Sequence, residues 1–220
     1  IIAAALGAGG ELAALMNEMA ELRRANPQDD LTSALLNADL EDGAMTGEEL
    51  ASFFVLLVVA GNETTRNAIS GGMQLLIENP EERDKLIENP GLIKGACEEM
   101  VRVVSPLRSF SRTVVHDTEL RGRKLLAGQK VLLLYASANR DEAVFEDPHR
   151  FRVDRTPNEH LALGFGPHYC LGANLAKMEI KATLARILER LPALRLADGA
   201  EPAFTPSALI DGIESMPVEW

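Results

Sequence analysis

Three groups of residues have the types and spacing to do chemistry. The first centres on Cys170, in the stretch HLALGFGPHYCLGANLAK from His160 to Lys177. Gly164, Gly166 and Pro167 precede it and Gly172 follows. From Leu171 the sequence takes a helical pattern, LGANLAKMEIKATLARILERL. The cysteine therefore stands at the N-terminal end of a predicted helix. There, N–H groups lack intrahelical partners and the macrodipole favours negative charge, which supports a thiolate. The glycines let the backbone come close to a sulfur, or to a flat ligand above it. A lone cysteine after a glycine-rich turn is more often a buried free thiol. The regular spacing of Gly164, Gly166, His168, Cys170 and Gly172 argues for more than that.

The second group is Gly61-Asn62-Glu63-Thr64-Thr65. Thr46 and Glu49 have the spacing of a capping box, which predicts the start of a long helix running to about Glu78. Within it ASFFVLLVVA, Ala51 to Ala60, is apolar apart from Ser52, and predicts a helix buried on all sides. The polar run breaks that pattern. Glycine costs about 1 kcal/mol against alanine inside a helix, and adjacent threonines compete for backbone hydrogen bonds. Local inconsistency of this kind tends to mark a functional site. A hydroxyl beside an acid is what proton delivery requires. The plainer reading is a kinked helix lined by threonine. The third group is Glu99-x-x-Arg102, one turn apart on one helix face. By itself it is a common surface pair.

The elements that must position these groups are mostly helical. Glu11 to Arg24 reads as an amphipathic helix with Leu12, Leu15, Met16 and Met19 on one stripe, and a second helix carrying Leu31, Leu35 and Leu36 starts at Pro27-Gln28-Asp29-Asp30. Glu41-Asp42-Gly43 reads as a loop. Asn79-Pro80 ends the long helix, Glu81 to Ile87 is a short one, and Gly91 to Val104 carries Glu99 and Arg102 up to the Ser105-Pro106 stop. Ser111 to Val115, Thr118 to Leu120, Lys124 to Leu126 and Lys130 to Tyr135 read as strands of one small antiparallel sheet, with turns at Arg121-Gly122-Arg123 and Ala127-Gly128-Gln129. Ala136 to Pro157 has no sustained period. Leu191 to Trp220 reads as short strands and a hairpin, with Leu209 to Ile213 as a turn.

The chain has 220 residues and a formal charge of −11, from 22 Lys/Arg against 33 Asp/Glu. That balance argues against general nucleic-acid binding. Between Pro148 and Arg190 the sign reverses, with seven Lys/Arg against four Asp/Glu. The basic stretch suits an anionic cofactor or an acidic protein partner; a solvated face is the plainer explanation. Cys97 and Cys170 make no disulfide framework, and a reducing cytoplasm is the simplest setting. No segment reaches the roughly 18 apolar residues expected of a membrane span. The opening IIAAALGAGG lacks a basic flank and an initiator Met, so it reads as neither a signal peptide nor a natural start.

Gly164-x-Gly166-x-His168-x-Cys170-Leu171-Gly172-x-x-Leu175-Ala176 resembles the haem-binding loop of the cytochromes P-450. Leu163 stands where that family usually has Phe. Ala60-Gly61-x-Glu63-Thr64-Thr65 resembles the family's oxygen-activating helix segment, and Glu99-x-x-Arg102 its characteristic helix pair. The resemblance implies a mainly α fold with a minor antiparallel β-sheet, residues 1–220 forming the C-terminal portion of a single P-450 domain that lacks its N-terminal half. It implies haem b with Cys170 as the iron ligand, and Gly164, Gly166, Gly172, Ala60 and Gly61 as the residues that make room for the ring. His168 and Arg112 would bond the propionates. Thr64 would hydrogen-bond the activated oxygen and Glu63 would relay protons. Arg155 would complete a structural ion network with Glu99 and Arg102. Val58, Leu107, Phe110 and Ile210 would face substrate.

The implied activity is monooxygenation, inserting one atom of O2 into a C–H bond, with electrons from a ferredoxin-type donor and its NAD(P)H reductase. The wording of AGNETTRNAISGG, YASANRDEAVFEDP and GIESMPV looks most like soluble actinobacterial-type members that act on sterols, fatty acids or terpenoids. Two alternatives stay open: a peroxygenase on the same fold, and a non-catalytic fragment that binds no haem.

Overall fold

The capping box at Thr46 forms as its spacing requires. Glu49 N donates to Thr46 Oγ1 at 3.2 Å, and Thr46 N donates back to Glu49 Oε2 at 2.8 Å. It opens α3, Gly47–Glu78, which ends at Asn79-Pro80. The computed structural model describes residues 2–38 and 43–220, with side chains from residue 7 onward. The expected loop residues Glu41 and Asp42 lie outside the described residues. The chain divides into two compact units, one up to Asn62 and one from Glu63 to Trp220.

The first unit holds α1 (Ile2–Ala25), α2 (Leu31–Leu36) and the first half of α3. Asp30 caps α2 by accepting from Ser33 N at 2.8 Å. Met16, Ala20, Leu50 and Ala51 form its core, with Leu35, Leu36 and Phe54 packed against them. Helix α1 starts nine residues before the predicted Glu11, because Ile2 to Gly10 continues the helix without a cap or a Pro to stop it. The predicted stripe is only partly buried: Met16 is inside and Leu15 outside. The expectation that Ala51 to Ala60 is buried on all sides does not hold in this chain. Leu56 and Val59 are about 60% exposed, since no described element of this unit packs on that side of α3.

The second unit packs the second half of α3 with α4 (Pro80–Glu88), α5 (Ile93–Val104) and α7 (Ala173–Arg190). Met73, Leu76, Leu86, Cys97, Met100, Ile180 and Leu184 fill its core. Gly71 and Gly72 let α3 approach α5 closely, because a Cβ there would meet Val104 Cγ1 at 2.9 Å and Met100 Sδ at 2.7 Å. The predicted single sheet is two separate antiparallel ribbons. β1 (Ser109–Thr113) pairs with β4 (Lys130–Leu134), and β2 (Thr118–Leu120) with β3 (Arg123–Leu125) across a tight turn whose Arg121 and Gly122 both have positive φ. α6 (Tyr135–Ala138) adds one turn at the start of the irregular stretch. β5 (Arg195–Leu196) pairs with β8 (Val218–Glu219), and β6 (Ala203–Phe204) with β7 (Ile213–Ser215). Among the described residues no helix is long and apolar enough to cross a membrane.

Candidate active site

The Cys170 loop is held by its own backbone. Gly164 and Gly166 take φ of +76° and +65°, values that favour glycine. A Cβ on Gly164 would sit 2.9 Å from the His168 carbonyl oxygen, so the turn also needs the missing side chain. Gly166–His168 forms one 3-10 turn, and Cys170 N donates to Leu163 O at 2.8 Å, closing the loop on itself. Leu163, the departure from the family's Phe, packs against the core of the second unit. Helix α7 begins at Ala173, after a Leu171-Gly172 turn, so Cys170 precedes the helix rather than opening it. The turn arises because Ala173 N bonds back to Cys170 O.

The thiol of Cys170 is exposed, and so are Phe165 (83%), Leu171 (76%), Leu175 and Tyr169 around it in sequence. His168 also lies on the surface of this loop. Single exposed apolar residues are ordinary, whereas four within eleven positions of one loop and helix start call for a cover. Among the described residues no three His, Cys, Asp or Glu side chains are grouped to hold a metal ion. One sulfur ligand on an open apolar surface fits an iron held mainly by a macrocycle, and the open space at Gly166 leaves room for a flat ring. The residues present fit haem.

The other candidates are placed as follows. Arg112 is exposed on β1, its Nη1 donating to Ser111 O at 3.1 Å; among the described residues it makes no salt bridge. An uncommitted guanidinium remains available to a carboxylate. Leu107 and Ile210 come together as an isolated β-bridge, with Arg108 N donating to Leu209 O at 2.8 Å beside it. Phe110 packs edge-on against Tyr135, ring centroids 6.2 Å apart. Glu63 is paired with Arg66 one turn on, both partly exposed, and Thr64 is half-buried beside the buried Thr65. The sequence reading had this polar run in the middle of a buried helix. Ala60, Gly61 and Val58 are in fact exposed on the part of α3 that belongs to the first unit.

Glu99, Arg102 and Arg155 are brought into direct contact. Glu99 and Arg102 are fully buried and Arg155 nearly so. Arg102 Nε and Nη2 donate to the two Glu99 oxygens at 2.7 and 2.8 Å, a bidentate pair. Arg155 Nε donates to both at 3.0 and 3.1 Å. Burial pushes the Glu99 carboxyl up, and the hydrogen bonds and charge of Arg102 and Arg155 more than reverse it, leaving it below the usual carboxylate value. The remaining guanidinium donors satisfy carbonyls of the irregular stretch. Arg102 Nη1 reaches Asn139 O and Pro148 O, and Arg155 Nη1 reaches Glu146 O. Arg102 also stacks on Phe145, 5.1 Å from the ring centroid.

Sequence reasoning missed several buried polar groups here. Asn139 accepts from Leu161 N at 2.7 Å and donates to Ser105 Oγ at 2.8 Å. Glu82, 1% exposed, accepts from Val153 N at 2.9 Å and from Lys85 Nζ at 2.8 Å. Glu98 accepts from Lys177 Nζ at 2.9 Å and contacts His160 Nε2 at 3.1 Å. The only signal for the last was an acidic doublet, Glu98-Glu99, on a helix otherwise rich in apolar residues.

Comparison with known proteins shows the family. The family model described as Cytochrome P-450 matches residues 8–206, and the chain belongs to that family. It is 45% identical over 196 residues to the steroid C26-monooxygenase of Mycolicibacterium smegmatis, covering 89% of this chain and 49% of that protein. It is 47% identical over 212 residues to the methyl-branched lipid omega-hydroxylase of Mycobacterium tuberculosis, covering 96% and 49%. The crystal structure of CYP109E1 from Bacillus megaterium in complex with testosterone superposes with a TM-score of 0.93 at 38% identity, over 97% of this chain and 59% of that one. The chain spans about half the length of the curated relatives it matches. Family members are haem-thiolate proteins that bind haem b.

Proposed function

We propose that Cys170 is the thiolate ligand of haem b, and that the chain is the C-terminal portion of a single P-450 domain. The domain would insert one oxygen atom from O2 into a C–H bond of a hydrophobic small molecule. The observation that carries this is the exposed Cys170 on a closed, glycine-shaped loop whose apolar side chains face outward. Held by the Cys170 thiolate, haem would supply an iron able to activate dioxygen, and an electron-rich sulfur ligand favours that chemistry.

The chain's own residues do the rest. Gly164 and Gly166 keep the backbone clear of the ring, while Arg112 and His168 bond the propionates. Gly172 would leave space beside it. The Thr64 hydroxyl would hold a proton at its Oγ1 for delivery, and Glu63, paired with Arg66 in this structure, would help relay protons to it from water. Glu99, Arg102 and Arg155 fix the framework behind the loop. Leu107, Phe110 and Ile210 would line the substrate side.

The substrate class we propose is a sterol or another branched lipid, supported by the names of the two relatives above. Electrons come from a ferredoxin-type donor with its NAD(P)H reductase, for which the basic stretch from Pro148 to Arg190 suits an acidic partner. The setting is cytoplasmic, in keeping with two free thiols.

The test is the absorption spectrum of the reduced, CO-bound protein. A Soret band at the red-shifted position of thiolate-ligated haem, lost in Cys170→Ser and kept in Cys97→Ser, is the expected result. A band typical of histidine or neutral-thiol ligation in the unaltered protein overturns the assignment. Thr64→Ala is expected to lower product formed per NAD(P)H several-fold; unchanged coupling removes Thr64 from the proton path.

A further inference from the structure

The segment that carries Cys170 is fastened at both ends to the same atom. Glu98 lies on α5 with its carboxylate 27% exposed. Its Oε2 accepts from Lys177 Nζ at 2.9 Å and meets His160 Nε2 at 3.1 Å. His160 opens the segment, and Lys177 sits in the second turn of α7, beyond Cys170. The His160 hydrogen bond holds the Glu98 carboxyl down to about 2, with burial opposing it and Lys177 adding to it. Glu98 is thus an ionised, acceptor-only group at neutral pH, so the proton of the contact is on His160 Nε2.

His160 is nearly buried, at 5% side-chain exposure, and its Nδ1 has no hydrogen-bond partner. A buried ring nitrogen left bare is a cost. Among the described residues the Glu98 contact is therefore the single polar anchor of that ring. Next to it on α5, Cys97 Sγ lies 3.7 Å from Lys177 O, a second tie between α5 and α7. Neither end of the segment is fastened by Glu99, which faces the irregular stretch through Arg155, Arg152 N and Asn158.

We propose that Glu98 is a positioning residue for the Cys170 loop, one carboxylate oxygen that pins His160 and Lys177 to α5 and so fixes where the cysteine sulfur stands. Its effect on haem rests on the reading of Cys170 as ligand; the mechanical part does not. Without Glu98 the loop keeps its internal hydrogen bonds but loses its shared mooring. The sulfur then samples a wider range of positions and is a less firmly placed ligand.

The test uses the haem-loaded protein with Glu98→Ala and Glu98→Gln. Two readouts are made: amide hydrogen exchange at Gly164, Tyr169 and Cys170, and the rate at which the reduced CO complex converts from the thiolate to the neutral-thiol spectrum. Glu98→Ala is expected to speed exchange at those amides about tenfold while amides in the middle of α5 are unchanged, and to speed spectral conversion several-fold. Glu98→Gln keeps an acceptor oxygen for His160 and restores most of both. Wild-type values for Glu98→Ala in both readouts overturn the proposal. Should Glu98→Ala fail to fold, Lys177→Met removes one mooring only and is expected to give a smaller change of the same sign. Wild-type behaviour there overturns the proposal too. A wild-type protein without the thiolate spectrum sinks the ligand assignment, while the exchange comparison still judges the mooring.

Discussion

Two irregular stretches lie a few residues apart in this chain and solve opposite problems. Asn139 to Asn158 is long and nearly without regular structure, yet it is built around buried charge. Its carbonyls at Asn139, Glu146, Pro148 and Arg150 are taken by the guanidinium groups of Arg102 and Arg155, which converge on Glu99. Leu163 to Gly172 is short, held by its own backbone, and turns Phe165, Tyr169 and Leu171 outward. The first stretch satisfies its backbone with side chains because no ladder is available to do it. The second leaves apolar area uncovered, as a surface that receives a ligand or a further part of a protein does. Irregular backbone is therefore no sign of looseness in itself. What separates the two is where their polar groups and apolar side chains end up.

The largest test of that contrast is Glu99→Ala. It leaves two buried guanidinium groups without their carboxylate, and removal of one partner from a buried network typically costs about 3–5 kcal/mol. Urea unfolding should show a loss of that order. A loss below about 1 kcal/mol would mean that ordinary packing, through Phe151 and Val153, holds the stretch. Asn139→Ala comes next. It strips Leu161 N of its partner, while Ser105 Oγ keeps its bond to Arg102 O, and a buried group left unsatisfied costs about 1–3 kcal/mol. Leu161 leads directly into the cysteine loop, so this variant should also speed hydrogen exchange at Gly164. Unchanged exchange there would separate the two stretches mechanically.

Acid sharpens the comparison further. The folded-state carboxyl of Glu98 is held down to about 2, against an ordinary 4.5, chiefly by His160. A depressed carboxyl contributes stability that is fully present above its unfolded value and is lost as the pH falls through the folded one. The contribution of Glu98 should therefore fade between about pH 4.5 and pH 2, and Glu99, lowered through Arg102, adds to the same slope. Glu98→Gln should flatten the stability–pH curve in that window by lowering it above about pH 4.5, with the two proteins converging toward pH 2. A parallel curve would show that Glu98 carries no linked proton.

The sequence revealed whatever is short-range. The Thr46 capping box, the Glu99–Arg102 pair and the glycine spacing before Cys170 each lie within a few residues, and each forms as its spacing requires. Arg155 was found only through family resemblance, since nothing local ties it to a residue 56 positions earlier. Asn139, Glu82 and the Glu98–His160–Lys177 contact had no such help. Each joins residues far apart in the chain, and each is a polar side chain whose burial depends on the tertiary fold. The exposure of Leu56 and Val59 was missed for the reverse reason. An apolar run predicts burial, but whether a surface is covered depends on what packs against it.

The two cysteines give the smallest and cleanest contrast. Cys97 is 1% exposed in the core, and burial, with the Glu98 charge beside it, pushes its thiol up to about 11. Cys170 is exposed on the open loop. A thiol reagent near pH 8 should modify one cysteine in the haem-free native protein, Cys170, and leave Cys97 untouched. Loading haem should protect Cys170 as well. Cys170→Ser should change the unfolding free energy of the haem-free protein by no more than about 0.5 kcal/mol, because Cys170 is exposed. Equal labelling of both cysteines would place Cys97 on an opening segment. Labelling of Cys170 unaffected by haem would mean that the sulfur stays free when the cofactor is bound, and the open loop would then need another occupant.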